Sequence, residues 1–225
     1  MPNAPAPALR PRREHPISKP YQNKPMKTTV IALALALLLM PNLLLAQSRT
    51  SPAARESVRT ETRQDNPAQV CLDLMNEART NPKAFSDKHL KALTTPAARE
   101  CYAQMQSMAA LPAMTVSDVL LAAATEHAED LKATNTTGHV GSDGSQFWER
   151  IERHGEWSGN VGENVSYGLG DPLAVVIQLL VDEGVPTRGH RENILNPEHK
   201  VVGICFETHP QWSKVCVQVF ATSAQ

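Results

Sequence analysis

Three short segments of this 225-residue chain each set a titratable side chain beside glycine: Gly138-His139-Val140-Gly141-Ser142-Asp143-Gly144-Ser145, Gly162-Glu163-Asn164-Val165-Ser166-Tyr167-Gly168, and Gly189-His190-Arg191-Glu192-Asn193-Ile194-Leu195-Asn196. Imidazoles and carboxylates drawn from separate segments can hold a borderline divalent metal such as zinc, since a neutral imidazole offers a nitrogen lone pair. The same groups can form a coupled acid/base cluster, in which a carboxylate fixes the tautomer of the imidazole beside it. A third arrangement is structural: the side chains bond one another and the backbone, and the glycines serve turn geometry. No HExxH helix and no GxSxG elbow occurs, so the usual motifs of metal-dependent or serine-dependent hydrolysis are missing.

The elements that must position these residues follow from periodicity and capping signals. Val70, Leu72, Leu74 and Met75 predict one face of a helix that ends before Asn81-Pro82. Ser117 caps a second, in which Leu120, Leu121, Ala124, Ala128 and Leu131 recur at helical spacing up to Asn135. Asp143, with Gln146 three residues on, predicts the start of a third helix running to His154. Asp171-Pro172 opens a fourth, whose broad apolar face carries Val175, Val176, Leu179 and Leu180 and ends with Glu183 before Gly184. Asn160 to Gly168 reads as a strand, and Val201–Phe206 with Lys214–Phe220 as a hairpin. Helices and strands in this order predict an α+β layered domain rather than a wound parallel sheet.

In combination, the three glycine-flanked segments, Asn76-Glu77-Ala78-Arg79, Glu126-His127-Ala128 and Val217-Gln218-Val219-Phe220 resemble the CAP superfamily, which includes cysteine-rich secretory proteins, antigen five, pathogenesis-related proteins and bacterial SCP-like members. The resemblance runs from about Pro67 to Ala221 and implies a three-layer α-β-α sandwich. It also implies a shallow cleft with two histidines and two acids, in some members occupied by a divalent metal. Here these are His139, His190, Glu163 and a fourth acid on the helix before the second histidine. Asp182 and Glu183 both fall there; Glu183, three and four residues after Leu180 and Leu179, is preferred. Asn164, Tyr167, Asp182 and Arg191 are the further cleft residues. Val185-Pro186-Thr187-Arg188 is an insertion relative to the family pattern, expected to reshape the cleft rim. Phe147, Trp148 and Ile151 read as core, or as the wall of a lipid groove.

The implied function is a secreted binding protein whose cleft takes a divalent metal, a small lipid or an extracellular protein. The alternative is an extracellular hydrolase using metal-activated water or a Glu/His pair. Met26-Lys27, the apolar run Val30–Met40 and the small residue Ala46 read as a signal peptide, with Met1 or Met26 as the start. The run is too short, and broken by Pro41, for a permanent span. The expected organisation is therefore 1–46 as extension and signal peptide, 47–66 as a polar linker and 67–225 as the domain, located in the periplasm or outside the cell. Beyond Ala46, 16 basic residues face 22 acidic ones, with no basic stripe, which excludes a nucleic-acid partner. Four cysteines in an exported chain favour disulfides. Cys205 with Cys216 would bridge the hairpin, leaving Cys71 with Cys101.

Overall fold

The computed structural model describes residues 66–225; the expected leader, its cut after Ala46, and the linker up to Asp65 lie outside the described residues. In chain order these residues form α1 (Pro67–Thr80), α2 (Pro82–His89), α3 (Pro96–Ser107), β1 (Thr115–Val116), α4 (Asp118–Thr134), α5 (Phe147–His154), β2 (Trp157–Tyr167), α6 (Pro172–Val181), α7 (Gly189–Leu195), β3 (Val201–His209) and β4 (Ser213–Ala224). The sheet runs β1-β3-β4-β2, with β1 parallel to β3 and the other pairs antiparallel.

The layering follows from strand alternation, which sends successive side chains to opposite faces. Val202, Ile204, Cys216 and Phe220 face a core made with α1, α2, α3, α6 and α7. Val215, Val217, Val219 and Ala221 face a second core, closed by Leu120, Ala124, Leu131 and Ile151 of α4 and α5. Two apolar faces on one sheet require two helical layers, so the α+β fold is a three-layer α-β-α sandwich. At Gly203 the backbone of α4 lies against β3 at Leu120, so that any Cβ there would overlap it. Only glycine permits that approach. No helix among the described residues is long and apolar enough to cross a membrane.

Helix ends largely obey their caps. Asn66, Thr95, Ser117 and Asp171 accept from the backbone N–H groups of Ala68, Ala98, Leu120 and Ala174. The third predicted helix starts later than expected: Asp143 instead accepts from Ser145 N in a turn, and Gln146 caps α5 while donating its backbone N–H to Glu149 Oε2. α6 stops earlier than expected, at Val181, because Asp182 adopts left-handed geometry at φ 54° and ends the helix. The helices α2, α3 and α7 are additions to the sequence reading. Two of them begin at prolines, which can open a helix as well as end one.

The proposed disulfides are corrected. All four cysteines are free thiols. Cys205 pairs across the hairpin with Val217, and Cys216 with Phe206, so the two sulfurs lie on opposite faces of the sheet and cannot meet. Cys71 accepts from Gln218 Nε2 at 3.3 Å, and the Cys101 thiol approaches Met105 Sδ at 3.9 Å. Burial pushes the Cys101 thiol up to about 11 and holds Cys216, beside Cys71, well above its ordinary range, so neither is a reactive thiolate at neutral pH.

One buried cation ties the helical layer together. Arg79, with no exposed surface, donates to the carbonyls of Pro112, Ile194, Asn196 and His199 at 2.7–2.9 Å, joining α1 to the segments before β1 and after α7. Lysine cannot reproduce this fork, since one ammonium cannot span four divergent carbonyls. Arg79→Lys is therefore expected to lower the unfolding free energy by about 2–4 kcal/mol through carbonyls left unpaired. Urea denaturation checks this; a loss below about 0.5 kcal/mol would remove Arg79 from that role.

Candidate functional site

The site straddles β2, the edge strand beside β4. Glu163 and Tyr167 share the strand face turned to α4 and α5, while Asn164 and Ser166 point to the other layer. Each of the two histidines is met on its own side of this edge by a single acid.

On the first side, His139 Nδ1 lies 2.9 Å from Glu163 Oε1, and Arg150 Nη2 donates to Glu163 Oε2 at 2.7 Å. Arg150, itself buried, also donates to His139 O and Ser145 O at 3.0 Å. A single guanidinium thus fixes both the carboxylate and the loop that carries the imidazole. That loop is further pinned by Asp130, which accepts from Ser142 N and Ser142 Oγ, and by Gly138 N donating to the Tyr167 hydroxyl oxygen at 2.8 Å. Behind Glu163 sits His127, fully buried, with Nε2 donating to Gly138 O at 3.0 Å and lying 3.8 Å from Glu163 Oε1. Burial pushes the His127 imidazole below its ordinary range, outweighing the pull of the Glu163 charge.

On the second side, Asp182 Oδ1 lies 2.7 Å from His190 Nδ1, and Asp182 Oδ2 accepts the His190 backbone N–H at 2.9 Å. The left-handed turn at Asp182 folds its carboxylate back over the start of α7. Glu183, the acid expected here, is exposed; it lies at the rim of the adjoining cavity rather than on the imidazole. Arg191 is buried and points away from the cleft, to Leu180 O, Val181 O, Ala97 O, Glu100 and Gln104. Arg188, from the segment between α6 and α7, also reaches Glu100, and these two arginines hold the Glu100 carboxyl down to about 2. Asn164 bridges the sides, donating to His190 O and Gln218 Oε1 and accepting from Asn193 Nδ2.

The chemistry follows from which atoms are engaged. A carboxylate lies at each Nδ1, so either imidazole, when neutral, carries its hydrogen there and keeps its Nε2 lone pair. The acids are hidden, Glu163 and Asp182 side chains being 1% and 3% exposed, whereas His139 and His190 are 48% and 24% exposed. Among the described residues no three His, Cys, Asp or Glu side chains gather closely enough to hold a metal. Each carboxylate lies against the Nδ1 of its own ring rather than beside it as a further ligand.

Sequence reasoning missed Arg150 and His127. His127 was nonetheless legible: Leu120, Ala124, His127, Ala128 and Leu131 form one helical stripe, and all five are buried. Phe147 and Ile151 belong to the core side of α5, and Trp148 is exposed.

The chain belongs to the cysteine-rich secretory protein, or CAP, family, whose model matches residues 72–220. No curated protein matches it. Among solved structures it is similar to an extracellular protein containing an SCP domain from Bacillus anthracis, at 19% identity and TM-score 0.48, covering 76% of this chain and 44% of that one. It is also similar to a cysteine-rich secretory protein from Staphylococcus aureus, at 12% identity and TM-score 0.44, covering 71% of this chain and 40% of the other. An outer surface protein of Borrelia burgdorferi matches at 21% identity and TM-score 0.42, over 49% of this chain and 78% of that one.

Two measurements follow. Arg150→Ala leaves Glu163 buried without its cation and is expected to cost about 3–5 kcal/mol in urea denaturation, part of which Arg150→Ala combined with Glu163→Gln recovers. An Arg150→Ala variant as stable as the parent would sink the pairing argument. Separately, burial lowers His127 and also His199, which bonds Asn193 O and Asn160 Oδ1. Below about pH 6.5 the unfolded chain takes up protons that these folded imidazoles refuse, so stability falls as pH drops through that value. Thermal melting from pH 8 to 5 should show the decline, and His199→Gln should flatten it; a slope unchanged in that variant would assign the decline elsewhere.

Proposed function

We propose that this domain acts outside the cytoplasm as a binding module, and that its cleft captures a divalent cation such as zinc through the Nε2 atoms of His139 and His190. The observation that carries this reading is the paired arrangement of the rings. Both Nδ1 positions lie against hidden carboxylates, which leaves the Nε2 atom of each ring as the nitrogen a ligand would use. Such backing raises ligand basicity and fixes ring orientation. Gly138, next to His139, lines the same cavity as His190, which supports a shared opening. With two protein donors, the remaining positions around the metal would come from water or from a bound partner.

Export is supported by the leader-like segment Met26–Ala46 and by the family's secretory character. Binding is favoured over hydrolysis because the chain contains neither an HExxH helix nor a GxSxG elbow.

Zinc titration calorimetry on the purified chain tests the reading. Micromolar or tighter binding is expected at pH 7.5. It should weaken at least tenfold at pH 5.5, because protons compete with the metal for the imidazole nitrogens. Loss of binding in His139→Ala and His190→Ala is the expected control. Absence of micromolar binding, or binding indifferent to both substitutions, returns the two dyads to a structural role.

A further inference from the structure

Beside His190 the protein holds a cavity of about 900 Å³ whose apolar walls the metal reading does not use. Its walls are mainly apolar: Leu93 and Ala98 from the α2–α3 connection and α3, Ile177 and Val181 from α6, Val185 from the segment between α6 and α7, and Trp212 from the β3–β4 turn. Leu93 and Trp212 are also among the large apolar side chains left exposed, at 38% and 45%, so an uncovered hydrophobic rim continues into the cavity. An apolar cavity of this size with a few convergent polar groups is the form of a small-molecule site.

The polar groups decide which molecule. The lining includes Asp182, Glu183 and His190, and no lysine or arginine. The two arginines nearest in sequence face elsewhere: Arg191 reaches Glu100, Gln104 and backbone carbonyls, and Arg188 reaches Glu100 and the carbonyls of Asp182 and Val185. An anionic head group entering here would meet the exposed Glu183 carboxylate with no facing cation in the lining, an unfavourable juxtaposition at close range. A cationic head would meet Glu183 and the π faces of Tyr167 and Trp212, whose ring centroids are 6.3 Å apart.

We infer that this cavity binds an amphiphile with an alkyl-sized apolar body and an ammonium head, the body against Ile177 and Val181 and the head drawn to the exposed Glu183 carboxylate and the aromatic rings of the lining. The inference rests on the cleft being a binding site but not on its holding metal. Zinc binding through His139 and His190 can fail while the cavity still binds, and the reverse also holds.

Three ligands of equal chain length separate the charge classes: decyltrimethylammonium, 1-decanol and decanoate, each titrated below its aggregation or solubility limit by calorimetry. Decyltrimethylammonium is expected to bind at least tenfold tighter than decanoate and tighter than decanol. Its affinity should fall with added salt and drop about threefold or more in Glu183→Gln, whose exposed side chain leaves the fold undisturbed. Ile177→Trp, which fills the cavity, should abolish binding while zinc binding stays as in the parent. Should that variant not fold, Trp212→Ala at the exposed rim is expected to weaken ammonium binding severalfold. Tighter binding of decanoate or decanol, equal binding of all three, no saturable binding by any, or indifference to both Glu183→Gln and Trp212→Ala would each overturn the inference.

Discussion

The cleft depends on one buried ion pair, Arg150 with Glu163. A carboxylate with almost no access to water is tolerable only where a cation and good hydrogen bonds replace its hydration. Arg150 supplies both, and its Nη groups also donate to the carbonyls of His139 and Ser145. The pair therefore does more than neutralise charge. It sets the backbone of the loop from which His139 projects, and Glu163 then sets the ring. His127 closes the back of this arrangement as a neutral imidazole, which keeps a second positive charge out of a space already balanced.

The opposite side reaches the same result by different means. There the fixed element is the end of α6, where Asp182 leaves the helix in left-handed geometry and grips both the backbone and the ring of His190. The dyads are held in register by β2 and by the Asn164, Asn193 and Gln218 amides around it. Gly162 packs so closely on the Asn193 side chain that a Cβ would not fit, and Asn193 also donates to Glu163 O. The edge strand is thereby satisfied by a side-chain amide where another strand would otherwise pair.

Much of this was legible in the sequence, for identifiable reasons. The stripes of α4 and α6, the Ser117 and Asp171 caps and the alternating hairpin carry strong local signals, and the glycine-flanked histidines mark segments outside regular structure. What escaped was decided by long-range geometry. Arg79, Arg150 and Arg191 look like surface charges in a linear reading, yet each is buried by carbonyls that only the assembled fold brings together. The choice between Asp182 and Glu183 turned on where α6 stops, a boundary of one residue that periodicity cannot resolve. Cysteine reasoning failed for a related reason: hairpin proximity says nothing about register, and a shift of one position sends the two sulfurs to opposite faces.

The segment between α6 and α7 closes on itself. Arg188 Nη1 donates to Asp182 O and Val185 O, and its backbone N–H also donates to Val185 O, so residues 182–188 form a small clasp whose ends are joined independently of what lies at its tip. His190 takes its aim from Asp182, at the root of the clasp, whereas Glu183 and Val185 look into the cavity mouth. Residues that shape ligand entry and residues that orient the imidazole thus occupy separable parts of one loop. Such a division lets the mouth be remodelled by substitution or by change of length while the ring keeps its setting, a modularity through which related chains can diversify what they hold without rebuilding how they hold it.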